Sequence, residues 1–269
     1  MFIHNLDPFI FDFGFFAVRW YSLAYILGIF IGWWYGKKII SNLPEKSKGN
    51  LIANDFDDLI AYLIISMIIG GRIGYVIFYN PIYYFNNPSE ILKIWLGGMS
   101  FHGALLGIIL GTYYFAIKKN IKTFFLLDII ACVSPIGIFF GRIANFINGE
   151  LWGKVTNVSW AVIFPQSAPF GTPLELIAPR HPSQLYAATL EGLFLLIYSQ
   201  WRFWRTGVLS TPGKLTGEFL IFYAIVRVFG EQFREPDAPL IFNLSRGSFY
   251  SLFLLAAGVF LISHSRKTA

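Results

Sequence analysis

The chain has 269 residues, of which 55% are hydrophobic, 19% aromatic and only 13% charged. Average soluble domains carry roughly 25% charged residues, so this chain has too little polar surface to coat one globule and must face lipid. The same balance excludes a disordered chain, and a lone Cys132 excludes both an internal disulfide scaffold and a cysteine-built metal cluster. The net charge of +6 would suit nucleic acid, but no basic run is interleaved with recognition residues. The excess therefore reads as membrane topology, with no nucleic-acid partner expected.

Taken in chain order, the opening MFIHNLDPFIFDFG has no basic leader and carries Asp7 and Asp12, so it is not read as a cleavable signal peptide. It is expected along the outer surface, with Phe and Ile in the interface. A hydrocarbon core of about 30 Å takes roughly 20 apolar helical residues per crossing, and seven apolar runs bounded by charge, Pro or Asn follow. They cover about 21–36, 59–78, 99–117, 124–140, 185–201, 215–229 and 249–263. Some are short for a full span, which tilt and interfacial aromatics accommodate. The expectation is an all-α integral membrane protein of about seven transmembrane helices, a single membrane domain over 1–269. Between the fourth and fifth runs, 141–184 is rich in Pro, Gly, Ser and Thr yet also aromatic. It predicts a small ordered cap on the outer face, with WAVIF as one short strand.

Lys and Arg fall unequally between the runs. Lys37, Lys38, Lys46, Lys48, Lys118, Lys119, Lys122, Arg202, Arg205, Lys214, Arg266 and Lys267 lie on one side, against Arg19, Lys93, Arg142, Lys154, Arg180, Arg234 and Arg246 on the other. The richer side is cytoplasmic by the positive-inside rule, which puts the N-terminus outside and the C-terminus in the cytoplasm.

Ionisable groups within apolar spans are expensive and mark a site or pathway by default. Arg72, His102, Glu191 and Arg227 qualify. On a helix, Arg227, Glu231 and Arg234 share one face at i, i+4 and i+7; such a stripe serves interhelical packing as readily as function. Glu191 reads as a structural partner of Arg72, and His102 either as a site residue or as a helix contact. The densest cluster is GRIANFINGELWG, 141–153, which packs Arg142, Asn145, Asn148 and Glu150 into nine residues at a helix end. Asn and Gly terminate helices and an interfacial Arg can snorkel, but termination does not need two amides, a cation and a carboxylate together. The set suits an anionic headgroup bearing hydroxyls, since guanidinium binds phosphate with fork geometry.

The 141–153 run resembles the signature of the bacterial prolipoprotein diacylglyceryl transferases, G-R-x-[GA]-N-F-hydrophobic-N-x-E-x-x-G, at every specified position. VRWYSLAYILG, GGRIGYVIFYN, GGMSFHG, RHPSQLYAATLEG and the run 227–237 are similar too, in the family's order. The one departure is Ala104, where the family pattern has Gly, which bears on close backbone packing and not on the chemistry.

The resemblance implies that the diacylglyceryl group of phosphatidylglycerol moves to the lipobox cysteine thiol of a preprolipoprotein signal peptide, in the lipid bilayer of the bacterial cytoplasmic membrane. A thioether forms and glycerol phosphate leaves. Such a reaction needs a thiolate, in-line alignment and neutralisation of charge on the departing phosphate. The substrate supplies the sulfur, which leaves Cys132 an inert small hydrophobe. Arg142 and Arg227 are expected to hold the headgroup and stabilise the leaving phosphate, with Glu231 orienting Arg227 and Arg234. Asn145, Asn148 and Glu150 would bind the glycerol head, with Gly153 closing the signature. His102 would take the thiol proton, unless the arginine field alone lowers the thiol pKa. Tyr21 and Tyr223 belong to the headgroup site by motif position or to the aromatic belt. His181 is expected to fix the cap.

No metal is expected, because His4, His102, His181 and His264 are far apart with no two-ligand helical spacing. The chemistry implies no cofactor, since the phosphoester supplies its own leaving group. Two other classes compete. A transporter would use buried charges and Gly-broken helices, but no inverted repeat is legible; a scaffold or receptor leaves the 141–153 cluster unexplained.

Overall fold

The computed structural model describes residues 2–14, 17–45, 50–236 and 239–268, with the side chains of 101, 102, 209 and 266–268 outside the description. In chain order the elements are β1 (Phe2–Ile3), β2 (Phe9–Asp12), β3 (Ala17–Arg19), α1 (Trp20–Ser41), α2 (Asp55–Tyr79), α3 (Pro81–Asn86), α4 (Phe101–Lys119) and α5 (Thr123–Ile147). After them come β4 (Val162–Ile163), α6 (Ser183–Ala187), a π-helical turn over Ala188–Phe194, α7 (Leu195–Arg205), α8 (Lys214–Glu231) and α9 (Arg246–Thr268). All seven apolar runs fall on helical stretches, as a medium without water requires: each segment must satisfy its own backbone groups. Among the described residues, Asp55–Tyr79, Thr123–Ile147 and Arg246–Ser265 are long and apolar enough to cross a membrane.

The chain divides into two compact units, Met1–Tyr35 with Asp128–Ala269, and Gly36–Leu127. In the second unit α2 and α4 cross with their backbones nearly touching. A Cβ built on Gly103 would stand 2.2 Å from the Gly70 carbonyl oxygen, and one on Gly70 would stand 2.3 Å from that of Gly103. Only glycine admits this approach, the small-residue packing that apolar helices use in place of a hydrophobic drive. Ser100 caps α4 by accepting from the Gly103 N–H at 3.2 Å.

Arg72 belongs to this unit, and its five N–H donors all go to backbone. Nε donates to the Ile91 carbonyl at 2.8 Å, Nη1 to Gly97 and Gly98 at 2.6 and 3.1 Å, and Nη2 to Glu90 and Lys93 at 2.6 and 3.3 Å. The expected Arg72–Glu191 pair is therefore corrected. A loop of irregular backbone needs donors, and this guanidinium supplies them.

In the first unit, α1 and α5 approach at Gly28, where an added Cβ would lie 3.0 Å from the Gly137 Cα. Helices α8 and α9 meet through Gly217 and Gly258, each placing its virtual Cβ 2.7 Å from the other's carbonyl oxygen. The N-terminus of α8 is held by Asp128 of α5, a fully buried carboxylate. Its Oδ2 accepts from the Gly213 N–H at 2.8 Å, and its Oδ1 from the Thr216 N–H and hydroxyl at 2.8 and 2.7 Å. Ala131, Leu195 and Phe219 form a buried core cluster nearby.

The expected strand in WAVIF shortens to Val162–Ile163, and it pairs in parallel with Phe2–Ile3. The N-terminal segment thus joins the fold beside 141–184, a long-range pairing that local patterning does not reveal. His4, 1% exposed, follows this strand, with its Nε2 2.7 Å from the Phe146 carbonyl at the end of α5. β2 and β3 form a second, antiparallel pair.

Candidate active site

Helix α5 ends at Ile147, and its last turns carry Arg142 and Asn145 on one face. The chain then turns through Gly149 and Leu151, both with positive φ of 64° and 58°. Glycine takes that conformation freely, whereas Leu151 is held in it, its carbonyl accepting from the Ser183 hydroxyl at 2.9 Å. The turn folds the signature back on itself. Glu150 Oε1 accepts from the Asn145 amide at 2.7 Å and from the Asn148 amide at 3.4 Å. Gln184 at the start of α6 donates to the Glu150 carbonyl at 2.6 Å.

Gly153, which closes the signature, donates its N–H to the His181 carbonyl at 2.9 Å and bridges Arg234. A Cβ there would stand 2.5 Å from the His181 oxygen and 2.6 Å from that of Phe233, so any other residue would force these segments apart. His181 lies in the same region, its Nδ1 3.1 Å from the Tyr186 hydroxyl, which in turn accepts from Trp160 Nε1 at 2.7 Å.

The centre of the arrangement is Glu191, 1% exposed. It sits in the π-helical turn, which interrupts what the sequence reads as a regular fifth helix. Gly192 lets this turn lie on α5: its virtual Cβ would stand 2.7 Å from the Phe139 Cα, one turn from Arg142. Glu191 Oε2 accepts from Arg142 Nε and Nη2 at 3.1 and 2.8 Å, while Oε1 accepts from Arg227 Nη1 at 3.0 Å. Tyr223 donates its hydroxyl towards Glu191 Oε2 at 3.5 Å. On its other side, Arg227 Nη2 pairs with Glu231 Oε1 at 2.6 Å, and Arg234 Nη1 reaches the same oxygen at 3.8 Å. The three-residue helical stripe needs one correction: α8 ends at Glu231, so Arg234 joins from the following turn and not from the helix face. Tyr21, on α1, has its hydroxyl 3.0 Å from that of Tyr25 and within electrostatic reach of Glu150 and Arg142.

These groups open on a crevice lined by Arg142, Asn145, Leu151, Ser183, Gln184, Ala187, Glu191, Arg227, Gly230 and Arg234. Of the residues expected from sequence, Arg142, Asn145, Arg227 and Arg234 line it directly. Glu150, Glu231 and Tyr223 contact that lining, Asn148 reaches it through Glu150, and Gly153 bridges Arg234. The backbone of His102 occupies the second position of α4; its side chain lies outside the described residues. Sequence reasoning missed Glu191 as the arginines' partner and missed Gln184 altogether. The signal for Gln184 was present in RHPSQLY, next to a histidine read for the cap.

Gln184 Oε1 and Asn148 Oδ1 are buried acceptors with no hydrogen-bond partner among the described residues. Such groups cost about 1–3 kcal/mol each when unmet, and they stand ready for hydroxyl donors. The guanidiniums are suited to phosphate, the amides and unmet carbonyls to a polyol.

Apolar helices long enough to cross a membrane, with buried charges gathered around one carboxylate, define a helical integral membrane protein with an internal ionic site. Residues 8–264 match the family model described as prolipoprotein diacylglyceryl transferase. A relative named phosphatidylglycerol–prolipoprotein diacylglyceryl transferase in Rickettsia typhi is 47% identical over 265 residues, covering 97% of this chain and 98% of its own. One of the same name in Rhizobium meliloti is 44% identical over 271 residues, covering 98% and 94%. The chain belongs to the prolipoprotein diacylglyceryl transferase family, whose members are membrane enzymes of bacteria.

Proposed function

We propose that the protein transfers the diacylglyceryl group of phosphatidylglycerol to the thiol of a lipobox cysteine in a preprolipoprotein signal peptide. The observation that carries this reading is the pair of guanidiniums, Arg142 and Arg227, brought from two helices to one buried carboxylate beside unmet hydroxyl acceptors. The cysteine sulfur attacks the phosphate-bearing carbon of the diacylglyceryl group. A carbon–sulfur bond forms, the carbon–oxygen bond breaks, and its electron pair leaves on the oxygen of glycerol phosphate. Arg142 and Arg227 hold the phosphodiester and meet the charge that grows on its leaving oxygen. Asn145, Asn148, Glu150 and Gln184 take the glycerol hydroxyls. His102 is assigned the thiol proton on its motif position alone. Tyr21 and Tyr223 complete the headgroup set, and Gly153 keeps the signature turn against Arg234. The reaction, so written, uses no cofactor.

An apolar groove of about 460 Å³ is lined by Ile31, Trp34, Phe139, Phe140, Leu193 and Leu196, among others. Phe139 precedes Arg142 by one helical turn, and Leu193 follows Glu191 in the π-helical turn, so the groove suits acyl chains whose headgroup sits at the arginines. In this reading seven helices span the bacterial cytoplasmic membrane, with the N-terminus outside and the C-terminus in the cytoplasm. Residues 141–184 form the outer cap of one membrane domain.

The test is transfer in detergent, with phosphatidylglycerol and a synthetic peptide carrying a lipobox cysteine. The parent should add diacylglyceryl mass to the peptide and release glycerol phosphate in equal amount. Folded Arg142→Ala should lose at least about 100-fold in rate. A folded parent that leaves the peptide unmodified, under conditions where another member of the family works, sinks the reading.

A further inference from the structure

Three stretches of the first unit run side by side away from the arginines. α1 meets α5 where Gly28 faces Gly137 and again at Gly32, whose added Cβ would lie 3.9 Å from the Val133 Cβ. The π-helical turn meets α5 where Gly192 faces Phe139, and it continues into α7. The apolar groove lies among them, with Ile31, Ile136, Phe140 and Leu196 in its wall and Tyr35 and Gln200 also lining it. The Tyr35 hydroxyl donates to Gln200 Oε1, and Gln200 Nε2 donates to the Cys132 carbonyl at 2.9 Å. This hydrogen-bonded bar joins all three helices. Tyr35 on α1 and Gln200 on α7 are the lining residues farthest along the chain from Tyr21 and Glu191, and Cys132 lies beyond Ile136 from Arg142. The bar therefore closes the end of the groove away from the arginines. Pro135 has no N–H to give the carbonyl one turn earlier in α5, so donation by Gln200 to this stretch repairs the helix. That repair does not call for the Tyr35 hydroxyl.

From this arrangement we infer that the Tyr35–Gln200 bar is a specificity element that limits the length of the acyl chain lying in the groove. The inference rests on the function proposed above and goes further, to which phosphatidylglycerols the site takes. Cys132 stands ten residues from Arg142 along α5, and Gln200 nine from Glu191, which places the bar about 13–15 Å from the headgroup site at about 1.5 Å per residue. That is half of a hydrocarbon core of about 30 Å, the depth of one lipid leaflet, where a chain of ordinary length ends. Polar side chains at such depth are expensive and mark function by default. The chain arrives from lipid, so burying its methylenes against apolar walls gains little, and discrimination falls to its far end. A chain that stops short of the bar disturbs nothing. A longer one must bend out of the groove or push the bar apart, leaving the Gln200 amide and the Cys132 carbonyl without their partners.

The experiment is a competition in detergent between dipalmitoleoyl and the longer dierucoyl phosphatidylglycerol, supplied in equal amounts to the full chain with a lipobox peptide. The masses of the modified peptide read the ratio of the two products. The parent should favour the shorter chain by about tenfold, the scale of one disrupted hydrogen bond. Gln200→Ala removes the bar and opens the end of the groove, and it should bring the two products within about twofold of each other. Tyr35→Phe keeps the ring and loses the hydroxyl, and it should shift the ratio the same way by about threefold. Leu193→Ala alters the groove beside Glu191, away from the bar, and should leave the ratio within about twofold of the parent's. Both lipids compete for the same molecules, so a partly folded variant lowers both products alike and the ratio stays readable. Equal products from the parent, a parental ratio kept by both Gln200→Ala and Tyr35→Phe, or an equal shift in Leu193→Ala overturns the inference. Native mass spectrometry of the folded chain with the same lipid mixture reads the bound ratio without turnover. A parent with no transfer activity would thus reject the proposed reaction, while the bound ratio still decides the chain limit.

Discussion

Gly247, at the start of α9, lies against Glu231: a Cβ added to it would stand 2.5 Å from Glu231 Oε1 and 2.9 Å from Arg227 Nε. The oxygen it would strike is the one shared by Arg227 and Arg234. Gly247→Ala must therefore displace the Glu231 carboxylate and, with it, Arg227. We expect kcat/KM to fall by about tenfold or more, as small misplacements of a positioning group do, with thermal stability lowered only modestly. Kinetics and a melting curve on the same preparation check this; wild-type kinetics would show that Glu231 has no positioning role.

Two glycines of the first unit should respond in opposite ways to alanine. Gly192 has the Phe139 backbone 2.7 Å from its virtual Cβ, whereas Gly137 has nothing within 4 Å. Gly192→Ala should cost about 1–3 kcal/mol through forced separation of the π-helical turn from α5, and activity should fall because Glu191 moves with that turn. Gly137→Ala should be neutral or stabilising by up to about 1 kcal/mol. Equal melting temperatures for the two variants would remove the packing argument.

Asp128 anchors α8 through the Gly213 and Thr216 N–H groups and the Thr216 hydroxyl. Its removal leaves donors unmet inside the protein, so Asp128→Ala should lose about 2–4 kcal/mol of stability. The helix it caps carries Arg227 at its far end, and turnover per folded molecule at low temperature should stay near the parent's. Chemical denaturation in detergent, paired with an activity titration of the folded fraction, separates the two effects.

Burial holds the His181 imidazole below the ordinary 6.5, and the ring contacts the Tyr186 hydroxyl. The unfolded chain then binds the proton more readily than the folded one, so stability rises with pH across this range. The contribution is complete above the ordinary value, and it is lost as pH falls through 6.5 towards the lower folded value. Melting temperature measured between about pH 5 and 8 should drop on the acid side, and His181→Gln should flatten that limb. An unchanged limb would place the acid sensitivity elsewhere.

The helical stretches were legible because a water-poor surround permits little else, and apolar runs bounded by Lys, Pro and Asn mark them directly. The signature residues Arg142, Asn145, Asn148 and Glu150 were legible as a set. Their internal pairing was not, since the amides turn to Glu150 while Arg142 turns to a residue 49 positions away. Glu191 was assigned to Arg72 because both are isolated charges in apolar runs, and nothing local says that the Arg72 donors are consumed by carbonyls of 90–98. The pairing of Phe2–Ile3 with Val162–Ile163 was equally hidden, as two-residue strands carry no periodicity.

The π-helical turn over Ala188–Phe194 makes the spacing of residues, and not only their identity, part of the site. Such a turn accommodates one residue more than a regular helix, and each helical residue rotates the next by about 100°. Deleting a single residue there would let the segment relax to regular helix and swing Glu191 away from both arginines, with every functional side chain still encoded. A change in length of one could therefore disarm the site as completely as a change of sequence, and homologous chains can be compared for an intact site by counting as well as by matching.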